Sequence, residues 1–117
     1  MIIKVKTNKD VYFRQMLELI SSIPPVNGLS NREKELLSIM MRFNWKNRDL
    51  NGIEKEEAVT GKAMRHIAAE EIGIKVHTVR TLLSSLKRKG FIDEKGLAPW
   101  LGKFKYGENF EFKFKEE

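Results

Sequence analysis

Between positions 75 and 89 the chain carries Lys75, Arg80, Lys87, Arg88 and Lys89 and no acidic residue, so this short segment holds five of the formal net charge of +6. A field concentrated on one element is the footprint expected of phosphate binding, whereas an evenly basic surface would say little. Interleaved with the cations are polar side chains able to hydrogen-bond, among them His77, Thr78, Thr81 and Ser84. The cations also have a plainer reading. Lys87, Arg88 and Lys89 would close a helix, where positive charge interacts favourably with the C-terminal end of the macrodipole whether or not a nucleic acid is present. Runs of charge are also commonly no more than a solvated face.

Catalysis has little to work with. The chain has no Cys, which excludes thiol catalysis, disulfides, thiolate zinc sites and iron–sulfur clusters. Its two His residues, His66 and His77, both fall in the same stretch as the cations, and no Gly-rich phosphate loop or nucleophile motif accompanies them. His66, beside Arg65, reads as a surface or satisfied interhelical residue. Glu54, Glu56 and Glu57 are neighbouring acids with no His nearby, the pattern of a solvated segment rather than a metal site. No enzyme, cofactor or metal is expected.

The elements that must position the basic segment are legible in its apolar spacing. In RHIAAEEIGIKVHTVRTLLSSLKRKG, residues 65–90, Ile67, Ala68 and Ile72 share one face of a first helix. Val79, Leu82, Leu83 and Leu86 repeat at the interval of a second helix. Gly73 stands where the first helix must end and the chain reverse, a position that favours a residue tolerating positive φ. Ala69 leaves room for a close neighbour, and Ile74 would plug the wedge between the helices. Arg80 then projects from the face opposite Val79 and Leu83, together with His77, Thr81 and Ser84. A tight helical hairpin of any purpose would show the same stripes.

This order of Ala, Gly, Ile and Val resembles the helix-turn-helix family, whose second helix enters the DNA major groove. The resemblance implies a recognition helix over about 75–89, with Lys75, Thr78, Lys87, Arg88 and Lys89 holding phosphates, Arg80 and His77 reading base edges, and Thr81 and Ser84 facing the groove. After that helix, Gly90 should cap in the left-handed region, and Phe91 and Ile92 should start a strand. A basic helix end, a Gly and a short apolar strand resemble the winged-helix family, in which the recognition helix runs into a β-hairpin wing. The second wing strand is placed at Asn109 to Lys115, where Phe110, Phe112 and Phe114 alternate with Glu111, Lys113 and Lys115.

Residues 94–108 between those strands are long for a hairpin loop and contain three Gly, one Pro and the aromatics Trp100, Phe104 and Tyr106. With Lys103 and Lys105 these aromatics could reach a minor groove or stack on unpaired bases. The commoner role for such residues is to cover the edge of a small core. A local hairpin of 103–106 against 109–112 around Gly107 is the other option.

Upstream, Leu29-Ser30-Asn31-Arg32-Glu33 has the form of a capping box, in which the Ser30 side chain meets the amide of Glu33 and the Glu33 side chain that of Ser30. Leu36, Leu37, Met40, Met41 and Phe43 supply the apolar face of that helix. LSNREKELL with IAAEEIGIKVHTVR resembles the two halves of the motif in LuxR-type response regulators and sigma-factor relatives, over about a third of the chain. Here the intervening segment 44–62 is much longer than that family's connection. It holds turn signals at Asn51-Gly52 and Thr60-Gly61 and reads as an exposed loop or short helix.

The first 28 residues form an extension. Ile2 to Lys6 reads as a short strand, followed by a helix capped by Asn8 or Asp10 and running through Phe13, Met16, Leu17 and Ile20, which Pro24-Pro25 stops. Pairing of the first strand with the Phe110–Phe114 strand would complete a three-stranded sheet. Charges interrupt every apolar run, so neither signal peptide nor membrane span is expected, and the expected setting is the cytoplasm of a bacterium or phage-infected host.

With 117 residues the chain can bury one core without staples. The expected fold is therefore one winged helix-turn-helix domain, mainly α with a small antiparallel sheet (α+β). It comprises an extension at 1–28, a helical core at 29–93 with the helix-turn-helix at 65–89, and a wing and C-terminal strand at 91–117. The resemblance implies a double-stranded DNA partner and a small transcriptional regulator of bacterial or phage origin, acting without a membrane. The alternative is a non-catalytic interaction or structural module of a larger nucleoprotein or phage assembly. A homodimer contact through residues 11–23 is also open.

Overall fold

The structure, a computed structural model, describes residues 2–6, 12–94, 96–102 and 109–113, of which 2–6, 102 and 109–113 are described through their backbone alone. The chain is mainly helical with small antiparallel sheets, an α+β arrangement. In order come β1 (Ile2–Lys6), α1 (Tyr12–Leu19), a 3-10 turn (Val26–Gly28), α2 (Asn31–Lys46), α3 (Gly52–Thr60), α4 (Lys62–Ile72) and α5 (Val76–Arg88). They are followed by β2 (Ile92–Asp93), β3 (Gly96–Leu97), α6 (Pro99–Gly102) and β4 (Asn109–Lys113).

The central element is α2, against which α1, α3, α4, α5, β3 and α6 all pack. Leu36, Leu37 and Met40 on it are fully buried, each worth roughly 1.5–3 kcal/mol relative to exposure. From the other elements Leu17, Val59, Met64, Ala68, Val79, Leu86, Phe91 and Leu101 close the same core. The capping box expected at Ser30 is present in both directions: the Glu33 amide donates to Ser30 Oγ (3.2 Å) and the Ser30 amide to Glu33 Oε1 (2.9 Å).

Four expectations change. Ile67 is 39% exposed, because the buried face of α4 runs through Met64, Ala68 and Ala69 and half-buried Ile72. At 100° per residue Ile67 lies off that stripe, and Met64, which anchors it, stands just ahead of the 65–90 segment. The sheet of three strands is instead two separate two-stranded sheets. β1 pairs with β4 antiparallel, Ile3 opposite Phe112 and Val5 opposite Phe110, as the terminal strands were expected to do. The hairpin after α5, however, closes on itself, Ile92 with Leu97 and Asp93 with Gly96. A partner a few residues away costs less closure entropy than one at Asn109, so the wing strand at 109 is not the mate of Ile92. Residues 94–108 are correspondingly not one loop, since β3 and α6 lie within them.

Trp100 packs beside buried Phe91, ring centroids 5.5 Å apart, which agrees with its role as cover for the core edge. The caps Asn8 and Asp10, the residues Lys103, Phe104, Lys105 and Tyr106 with the local hairpin proposed for them, and Phe114 and Lys115 lie outside the described residues.

The segment 44–62 is helical for most of its length. α2 continues to Lys46, and α3 follows, burying Val59. Both turn signals mark boundaries, and Gly61 alone separates α3 from α4. Its backbone is ordinary (φ −75°, ψ −179°), so space explains the residue. A Cβ there would overlap the carbonyl oxygen of Glu57. Gly61→Ala is expected to lower stability by about 1–3 kcal/mol, since backbone must move to relieve the overlap. Urea unfolding of the variant measures this.

Candidate functional site

The candidate site is built on α4, a three-residue turn and α5. Helix α4 ends at Ile72 and passes into Gly73 at φ 79°, with the amides of Gly73 and Ile74 both donating to the carbonyl of Ala69 (2.9 and 3.0 Å). That left-handed conformation is disfavoured by a Cβ, which explains the Gly. Gly90 at φ 86° ends α5 in the same way. Ala68 and Ala69 are buried where larger side chains would hold the helices apart, and Ile74 packs half-buried over the junction.

Helix α5 starts from Lys75, in extended conformation, with no side-chain cap and no acid in its first turn. Its apolar residues turn inward: Val79 and Leu86 are fully buried, and Val76, Leu82 and Leu83 are half-buried. On the other face Lys75, His77, Thr78, Arg80, Thr81 and Ser84 are all exposed, and so are Lys87, Arg88 and Lys89. The fold thus brings all nine candidate residues to the surface, though in differing condition. Thr81 Oγ1 donates to the His77 carbonyl (3.3 Å) and Ser84 Oγ to that of Arg80 (3.2 Å), so both hydroxyl hydrogens are given to the helix itself.

Lys89 is also tied into the protein. Its ammonium donates to Glu33 Oε1 (2.7 Å) and to the carbonyl of Gly28 (3.0 Å). Two of its three N–H donors are thus engaged inside the protein and one is left for a phosphate, so Lys89 serves the frame of the site as well as its surface. Glu33 is its centre. The residue is 4% exposed, and its carboxylate accepts from Lys89, from the Ser30 amide and from Ser85 Oγ (2.6 Å). Burial alone would raise its carboxyl, but bonds from Lys89, the Ser30 amide, Ser85 and the Ser30 hydroxyl outweigh that and hold it at about 2 against an ordinary 4.5. One residue earlier, Arg32 Nη1 donates to the carbonyl of Ile72 (3.0 Å). The first turn of α2 therefore grips the end of α4 through Arg32 and the end of α5 through Glu33.

The short hairpin supplies a feature that charge counting along α5 missed. Ser84 and Lys87 share a groove of about 350 Å3 with Glu56 and Thr60 of α3 and with Asp93 and Glu94 of the hairpin. Negative charge therefore flanks the C-terminal half of α5 on that side, leaving its N-terminal half and outer face as the electropositive approach. Glu94 follows Phe91-Ile92 in sequence, so its closeness to α5 follows from the tight turn at Gly90. Glu56 gives no such signal.

Comparison with protein families, curated proteins and solved structures finds no match to this chain. Among the described residues no cluster of three or more His, Asp or Glu could hold a metal, and no helix is long and apolar enough to cross a membrane. His66 and His77 are both exposed.

Proposed function

We propose that this protein binds double-stranded DNA through α5, with α4, the Gly73 turn and α5 acting as a helix-turn-helix and the β2–β3 hairpin as a reduced wing. The observation that carries the reading is the exposed face of α5. It presents Lys75, Arg80, Lys87 and Arg88 with no acidic residue, while every apolar residue of the helix is turned at least half inward. Lys75, Thr78, Lys87 and Arg88 hold phosphates and set the register; His77 and Arg80, nearer the helix start, read base edges in the major groove. Thr81 and Ser84 line the groove as acceptors. A chain that does this without catalysis fits a small transcriptional regulator of a bacterium or phage.

A second reading is favoured by the hydroxyls of Thr81 and Ser84, whose hydrogens go to the helix itself and leave few groups to read bases. In it α5 docks on an acidic protein or on packaged nucleic acid without sequence preference, as a structural module of a larger assembly. A salt titration of binding to duplex DNA separates the two. Under the first reading affinity falls steeply with salt, and Arg80→Ala removes about 1–3 kcal/mol of discrimination at one base position. Absence of binding by the folded protein at low salt overturns it; salt-sensitive binding that Arg80→Ala leaves equally unselective supports the second.

A further inference from the structure

We infer that the groove between α1, α2 and the end of α4 is a binding site for a small organic anion, one carboxylate on a compact apolar body. The groove encloses about 610 Å3, within the range of sites for small ligands. One wall is a single stripe of α2, Glu35, Ser38, Ile39, Arg42 and Lys46; Arg14 faces it from α1, and Glu71 and Ile72 close it from α4.

Charge selects the ligand. Glu35 is paired with Arg14 (3.6 Å) and Arg32 (3.4 Å), and Glu71 with Arg42 (2.5 Å). Lys46 has no carboxylate within ion-pair distance among the described residues, so the lining's three cations and two carboxylates leave one positive charge in excess. That excess matches one carboxylate better than a dianion. Arg42 stands in the same wall, its side chain 12% exposed and already bonded to Glu71. A planar carboxylate suits the guanidinium fork of exposed Arg14. Of the two apolar residues in the lining, Ile39 is buried and half-buried Ile72 offers the surface for the ligand's body. The site adjoins the Ile72–Gly73 corner from which α5 departs, so an occupant would also bear on the position of that helix.

Benzoate is the probe, titrated into the full chain and followed by amide shifts, with benzylamine as the charge-inverted control. One saturable site is expected, with shifts centred on Ser38, Arg42 and Ile72 and no binding of benzylamine. Lys46→Ala and Arg14→Ala, both at exposed positions, should each weaken it about tenfold, while Arg88→Ala leaves it unchanged. No saturable binding by the folded protein, shifts centred on α5 instead, or wild-type affinity in both groove variants overturns the inference. DNA is absent throughout, so the outcome is independent of the function proposed above.

Discussion

Glu33→Ala is expected to lower the stability of this protein by about 3–4 kcal/mol at neutral pH, a large fraction of the ~5–15 kcal/mol typical of a folded domain. The depression of its carboxyl from 4.5 to about 2 corresponds by linkage to about 3 kcal/mol. That figure already contains the Ser30 amide bond of the capping box together with the bonds from Ser85 and Lys89, since these are what lower the carboxyl. The sign of the pH effect follows. A carboxyl held low in the folded state contributes fully above its unfolded value near 4.5, and the contribution drains away as pH falls through that value towards about 2. Unfolding of wild type and Glu33→Gln at a series of pH values should therefore give a gap that is wide at pH 7 and narrows between about pH 5 and pH 2. A gap that stays constant across that range would show that the carboxylate charge contributes nothing.

Neutralising Lys75, Lys87 and Arg88 together should flatten the dependence of log affinity for duplex DNA on log salt by about 3, near 0.9 for each phosphate no longer neutralised, and weaken all sequences alike. Lys89→Gln should behave differently. The Lys89 ammonium is engaged by Glu33 and the Gly28 carbonyl, so the variant should lower stability and change the salt slope less than Lys87→Gln does. Equal effects of Lys89→Gln and Lys87→Gln on the slope would mean that Lys89 neutralises a phosphate as fully as Lys87 does. Lys89 sits beside Lys87 and Arg88 in sequence and has the same charge, yet the fold gives it another role.

That contrast indicates how far the chain could be read unaided. Periodicity located α2, α4 and α5 because each must turn an apolar stripe inward, and the stripe is written at intervals of three and four residues. Ser30-x-x-Glu33, Gly73 and Gly90 were legible for the same reason, since caps and left-handed turns are satisfied within a few residues. The Ile67 stripe failed by one residue because Ala68 and Ala69 say little about direction. The wing failed because Ile92 had two possible partners and local pattern does not rank them.

The sequence by itself determined that α2, α4 and α5 form, that α4 and α5 stop at Gly73 and Gly90, and that residues 75–89 carry five of the formal net charge of +6, because each of these is decided by residues close together in the chain. Only the tertiary structure decided what those charges face. Glu33 meets Ser85 and Lys89 from 52 and 56 residues away, Arg32 meets Ile72 from 40 away, and Glu56 comes to lie beside Lys87. Electrostatic energy depends on distance and burial, and neither is set until the chain has closed on itself.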